Sequence, residues 1–170
     1  KIHFLTLVNT QGTVITRMTG NKAADSLMQH PLIQKALNGA PSWGVRVEEE
    51  NFLSSEGLAE KARLELVETQ QARDTSKRTE TRSMLFEAAF PIKDETGRIF
   101  GAALGGSMLT RDFTLVDEIR EAIYKDADAK GTATIFLDDL RSSTNVKSED
   151  GKRAIGTRVS EAVYNSVIRE

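Results

Sequence analysis

The chain has no cysteine, only two histidines, one tryptophan and three prolines among its 170 residues. The missing cysteine excludes thiolate nucleophiles, CxxCH haem attachment, thiolate-bound zinc and disulfides. It leaves the compartment open, because cytosolic and periplasmic domains can both lack cysteine. With His3 and His30 alone, a histidine-rich metal centre is excluded as well. No apolar run reaches the roughly 18 residues that span a bilayer, and no stretch has the pattern of a signal peptide. Excess charge of one sign is also missing: 23 basic and 25 acidic residues leave a formal net charge of -2. No Lys/Arg block alternates with aromatics, so nucleic acid is not an expected partner.

What is present suffices for one core, or for one core and part of another. Hydrophobic residues make up 39% and charged residues 28%, ordinary proportions for a globular protein. The chain starts at Lys1 without a methionine and stops in an expected helix, so it reads as a soluble part of a larger protein.

Strand patterns dominate. His3 to Met18 reads as a β-hairpin turning at Asn9 to Gly12. Asn21 to Asn38 reads as a helix capped by Asn21, interrupted near Pro31 and stopped by Gly39. Ala40 to Glu50, with Trp43, reads as a loop leading into a short strand. A helix is expected near Ser55 to Ala62 and a strand near Arg63 to Glu68, with a polar loop from Gln71 to Thr81. Met84 to Ile92 and Arg98 to Leu109 form the clearest hairpin, turning at Asp94 to Gly97. Its return strand is rich in glycine and alanine, which leaves space above a sheet or lets a helix pack closely. Thr114 and Asp117 resemble a capping pair for a helix running to about Ala127. Thr132 to Asp138 and Ser142 to Val146 make a third hairpin, and Ser160 caps a final helix. Hairpins imply antiparallel pairing, so the expected class is α+β.

The phosphate-binding, zinc-protease, serine-hydrolase and dinucleotide motifs (GxxxxGK[ST], HExxH, GxSxG and GxGxxG) are all absent, and no catalytic residue, metal ligand or cofactor is expected. His30, before Pro31, reads as a solvated turn residue, and Glu48 to Glu50 as a solvated run. The adjacent acids Asp138 and Asp139 fit a turn better than a shared site, because strand neighbours face opposite ways. Arg17, Arg63 and Arg82 stand beside strands, where a guanidinium can hold a carboxylate through paired hydrogen bonds. Trp43 reads equally as a pocket wall and as a packing anchor. Met84 and Phe86 read as core residues, with a cavity-lining role as the alternative.

Three stretches together resemble the Cache sensor family. Phe4 to Arg17 (FLTLVNTQGTVITR) is similar to the opening hairpin of such a domain. Glu87 to Gly101 (EAAFPIKDETGRIFG) is similar to its central hairpin. Thr134 to Val146, with Asp150 to Thr157, resembles the start of a second subdomain in tandem Cache modules. The resemblance implies PAS-like antiparallel sheets flanked by helices, with residues 1–127 as a membrane-distal subdomain and 128–170 as the beginning of a second. It further implies the periplasmic, extracytoplasmic part of a membrane-anchored bacterial sensor histidine kinase, homodimeric in the full receptor. A chemoreceptor, or a structural dimerisation module without its own ligand, is the alternative. The implied partner is a small metabolite, with a carboxylate preferred, and the expected ligand-binding residues are Arg17, Trp43, Arg63, Arg82, Met84 and Phe86. The long helix that precedes the first hairpin in the family is not seen, and neither is the family's amino-acid-binding pattern around Trp43.

Overall fold

The computed structural model describes residues 1–20, 25–72, 75–124 and 131–169. Its first hairpin forms as the alternation predicts: β1 (Phe4–Asn9) pairs antiparallel with β2 (Val14–Arg17), placing Thr6 opposite Arg17. Gly12 in the turn takes φ +72°, and a Cβ there would lie 2.8 Å from Met28 Cα. Only glycine meets both conditions without strain.

The next segment departs from the expected long helix. Among the described residues of 21–38 only α1 (Pro31–Leu37) is helical, with Pro31 in the first turn, where its missing N–H costs no hydrogen bond. Gly39, at φ +92°, stops it as expected. The proposed Asn21 cap lies outside the described residues. The stretch 40–50, expected as a loop leading into a short strand, is mostly strand, β3 (Ser42–Glu48). Its aromatic and β-branched residues at alternate positions suit a pleated strand, and that signal outweighed the flanking glycines. A pair of short helices follows, α2 (Glu50–Ser55) and α3 (Ala59–Ala62), with Gly57 at φ +71° between them.

The chain divides into two compact units. The first comprises Lys1–Ala62 and Arg82–Met108. The second comprises Arg63–Thr81 and Leu109–Glu170. A sequence boundary at 127/128 falls outside the described residues.

In the first unit the central hairpin appears as β6 (Ser83–Lys93) and β7 (Ile99–Met108), following β4 (Leu64–Glu65) and β5 (Thr79–Glu80) of the second unit. The sheet has the order β2-β1-β7-β6-β3 and is antiparallel throughout. Phe4, Val8, Ile33, Leu53, Leu58, Leu85 and Leu104 form its buried core with α1, α2 and α3. Each such side chain contributes about 1.5–3 kcal/mol on burial. The small residues of β7 permit close approach: a Cβ on Gly106 would meet the Phe4 ring at 2.7 Å.

The second unit contains two small antiparallel pairs, β4 with β5 and β8 (Thr134–Leu137) with β9 (Leu140–Thr144). β5 lies in the stretch expected to be wholly loop. Asp138 and Asp139 occupy the β8–β9 turn, with Asp138 at φ +54°, in keeping with the turn reading. Helix α4 (Phe113–Ile123) is capped by Asp112, whose carboxylate accepts from the Leu115 N–H, not by Thr114. Ser160 caps α5 (Glu161–Val163), which runs on into a π-helical turn over Tyr164–Ile168. The fold is α+β, an antiparallel sheet flanked by helices.

Candidate functional site

Strand β3 carries its alternation the wrong way round for a simple amphipathic strand. Trp43, Val45 and Val47 are exposed, while Ser42 and Glu48 are buried and Gly44 and Arg46 are half-buried on the opposite, core-facing side. Across the ladder, Gly44 faces Glu87 of β6, and Glu87 also faces Gly106 of β7. Directly paired residues share a face, so Glu87 points into the core between two glycines. The Phe4 ring packs where a Gly106 side chain would lie, whereas a Cβ on Gly44 would meet nothing within 4 Å. The space beside Glu87 is therefore open on the β3 side.

His30 caps the approach from α1. Its side chain is 6% exposed and that of Glu87 is fully buried. His30 Nε2 lies 3.2 Å from Glu87 Oε2 and 3.7 Å from Glu48 Oε1. Neither contact has hydrogen-bond alignment: both ring nitrogens and both Glu87 oxygens are buried without a hydrogen-bond partner. Phe52 lies alongside the imidazole, with ring centroids 5.8 Å apart. Arg46 is the nearest permanent cation. Its Nε donates to Glu48 Oε1 at 2.8 Å and lies 3.6 Å from Glu87 Oε2.

The charges respond to this crowding. Burial pushes the His30 pKa down, but the adjacent Glu48 and Glu87 outweigh it and leave it raised. Burial pushes Glu48 up, yet His30 and Arg46 hold it below the usual carboxylate range. Burial is the main cause holding Glu87 above that range, against the pull of His30. The cluster is a buried donor set that can take a cation.

A second buried cluster lies on the same side of the sheet. Arg17 Nε donates to Glu56 Oε1 at 2.8 Å, and its two terminal nitrogens donate to Asp25 at 2.8 and 2.9 Å. Thr6 Oγ1 donates to the other Glu56 oxygen at 2.6 Å. The Arg17 and Glu56 side chains are both fully buried.

The residues expected to bind ligand are thus dispersed. Arg17 is on the core side, holding two carboxylates of its own chain. Trp43, Met84 and Phe86 come together on the opposite side, with Val45 opposite Phe86 and Val47 opposite Met84. Phe86, expected in the core, is 45% exposed, because the core-facing parity of β6 belongs to Leu85, Glu87 and Ala89. Met84 shares that outward parity and is half-buried. Trp43 is a strand residue, not part of a loop. Arg82 lies just ahead of β6, half-buried. Arg63 belongs to the second unit, where its Nε donates to Glu65 Oε1 at 3.1 Å. His30 and Glu48 are both buried, against the expectation of a solvated turn and a solvated run. The signal that could have found them is the polar parity Ser42, Gly44, Arg46, Glu48 beside a lone glutamate between Leu85 and Ala89.

In the second unit, Leu66, Val67, Thr69, Lys77, Arg78 and Arg158 line a shallow groove. Its cations are each held by an acid: Lys77 by Glu80, Arg78 by Glu68 and Arg158 by Asp139.

Residues 107–170 match the family model described as single cache domain 3. That segment is similar to a Cache sensor domain. The matched Cache stretch includes α4, β8, β9 and the capped C-terminal helix, and so contains the third of the three resembling segments. No curated protein matches the chain. Cache domains are extracellular sensory modules of signalling proteins; they are non-catalytic and bind small molecules. Among the described residues, no helix is long and apolar enough to cross a membrane.

Proposed function

We propose that the chain is the extracytoplasmic sensing part of a bacterial two-component histidine kinase, which binds a small metabolite and signals across the membrane. The observation that carries this reading is the Cache match, joined to a helix-covered sheet face with buried, unsatisfied polar groups. Buried polar groups without partners are costly in a finished core and useful in a ligand site. A tandem of subdomains at 1–127 and 128–170 belongs to the same proposal, as do membrane anchoring and homodimerisation of the parent. The packing unit resuming at Leu109 and the match starting at residue 107 support a longer second member. The carboxylate preference rests on the arginines. Since Arg17 already holds Glu56 and Asp25, a carboxylate bound there would have to displace one of them.

Thermal-shift screening with organic acids and amino acids, run with EDTA present, tests the sensing reading. A true ligand raises the melting temperature in proportion to the logarithm of its excess over Kd. Arg82→Ala should weaken a carboxylate hit at least tenfold, with circular dichroism confirming that the variant is folded. A screen in which no compound raises the melting temperature would sink the metabolite reading. A phospho-accepting histidine and an ATP-binding domain in the full-length sequence would establish the kinase; a chemoreceptor signalling domain would replace it.

A further inference from the structure

We propose that His30, Glu48 and Glu87 form a binding site for a divalent transition-metal ion of the zinc type. This goes beyond metabolite sensing and stands or falls separately from it.

The donor atoms converge in the right way. One nitrogen and two carboxylate oxygens, from three separate elements, lie within 4.8 Å of one another. In a tetrahedral site with bonds of about 2.0–2.1 Å, neighbouring donor atoms are about 3.3 Å apart. The observed 3.2 Å from His30 Nε2 to Glu87 Oε2 fits that spacing, and the 3.7 Å to Glu48 Oε1 needs only a small closure. The absence of hydrogen-bond alignment at the 3.2 Å contact is the second observation. A resting His–Glu pair would turn to share a proton along the N···O line; here both groups are more than nine-tenths buried and neither does so.

Charge supports the same ion class. A neutral imidazole with two carboxylates offers two negative charges, which a divalent ion neutralises in a place where water cannot. Calcium needs about six to eight oxygens, and copper(I) prefers sulfur, which no cysteine here supplies. Imidazole with carboxylate suits zinc and its neighbours, and three protein donors leave one position for water or a ligand. Arg46 is the resident competitor. It bonds Glu48 and approaches Glu87, but its side chain is one-third exposed and can turn outward along the edge strand. The unfilled space at Gly44, on the same edge strand, gives an ion room to enter beside Glu87.

The test is titration of the chelator-stripped 170-residue chain with zinc chloride by calorimetry, and with cobalt(II) by visible absorption. One ion per chain is expected, with the visible bands of four-coordinate cobalt. His30→Gln and Glu87→Gln should each weaken uptake at least tenfold, with circular dichroism confirming that the variants are folded. Arg46→Met should tighten uptake, because it removes the competing cation. That opposite-direction result cannot come from misfolding. The proposal is overturned if no single-site uptake occurs, if uptake survives both His30→Gln and Glu87→Gln, as surface binding at His3 would, or if Arg46→Met weakens it. A metal site found without any metabolite hit under EDTA would separate this inference from the sensing reading, and the reverse result would separate them equally well.

Discussion

Arg17 and His30 stand on the same side of one sheet, each among carboxylates, and their surroundings differ. At Arg17 the hydrogen bonds are spoken for: the Nε goes to Glu56, both terminal nitrogens go to Asp25, and Thr6 takes the remaining Glu56 oxygen. At His30 the nearest carboxylate oxygen is 3.2 Å away, and both ring nitrogens and both oxygens of Glu87 lack aligned partners. A satisfied buried network fixes β2 to the segment after α2 and resists change. An unsatisfied one costs stability. Both contact distance and hydrogen-bond completion separate the two cases.

The comparison breaks most visibly at Glu56. Glu56→Ala leaves a fully buried guanidinium with Asp25 as its remaining carboxylate and frees the Thr6 hydroxyl inside the core. Removing one partner of a buried ion pair costs about 3–5 kcal/mol, so urea denaturation should show the first unit losing a large part of its stability. A loss below about 1 kcal/mol would mean that the network is no firmer than the His30 cluster.

Acid titration sharpens the same contrast. Hydrogen bonds from Arg17 are the main cause holding the Asp25 carboxyl below its ordinary value of 3.8, against a smaller opposing effect of burial. A carboxyl with a depressed folded pKa contributes stability that is complete above the unfolded value and is lost as pH falls through the folded one. Stability should therefore decline below about pH 4 by roughly 1 kcal/mol from this group, allowing for solvent screening of a half-exposed side chain. Asp25→Asn should flatten that part of the pH–stability curve. An unchanged acid limb in the variant would show that Asp25 does not hold Arg17 in solution.

The three hairpins, the α+β class, the Gly39 stop and the Ser160 cap were legible because each depends on residues near one another in sequence. Asp94 shows why: its carboxylate takes the Thr96 and Arg98 N–H groups, two and four residues further along the chain. The His30 cluster was not legible, because its members lie far apart in sequence: the β3–β6 pairing brings Glu48 near Glu87, and the residue ahead of α1 adds His30. Alternation also misled. Trp43, Val45, Val47, Phe86 and Phe90 form an apolar series of core type, yet they face outward while the polar parity faces the helices. Period-2 patterning identifies two faces of a strand but not which one a helix will cover. Arg17 was singled out as a ligand-binding residue, and the carboxylates it holds in the structure are those of Glu56 and Asp25.

The smallest expected effect is the most discriminating one, because it applies an isosteric change to the incomplete cluster. Glu87→Gln keeps the shape of a fully buried side chain and removes its titration. The wild-type carboxyl has a folded pKa raised above the ordinary 4.5, chiefly by burial. The folded state therefore holds the proton longer than the unfolded one, and stability falls as pH rises from the unfolded value through the folded one. Glutamine abolishes that slope. It also removes a charge that makes no aligned hydrogen bond, and replacing such buried charges is often neutral or stabilising. In chelator-treated protein at neutral pH the variant should lie within about 1 kcal/mol of wild type, on either side. The parallel substitution Glu56→Gln should cost clearly more, since it weakens a charge-assisted bond to Arg17. A Glu87→Gln loss as large as that of Glu56→Gln would show that the His30 cluster already stabilises the fold without an ion, and the distinction between the two buried sites would disappear.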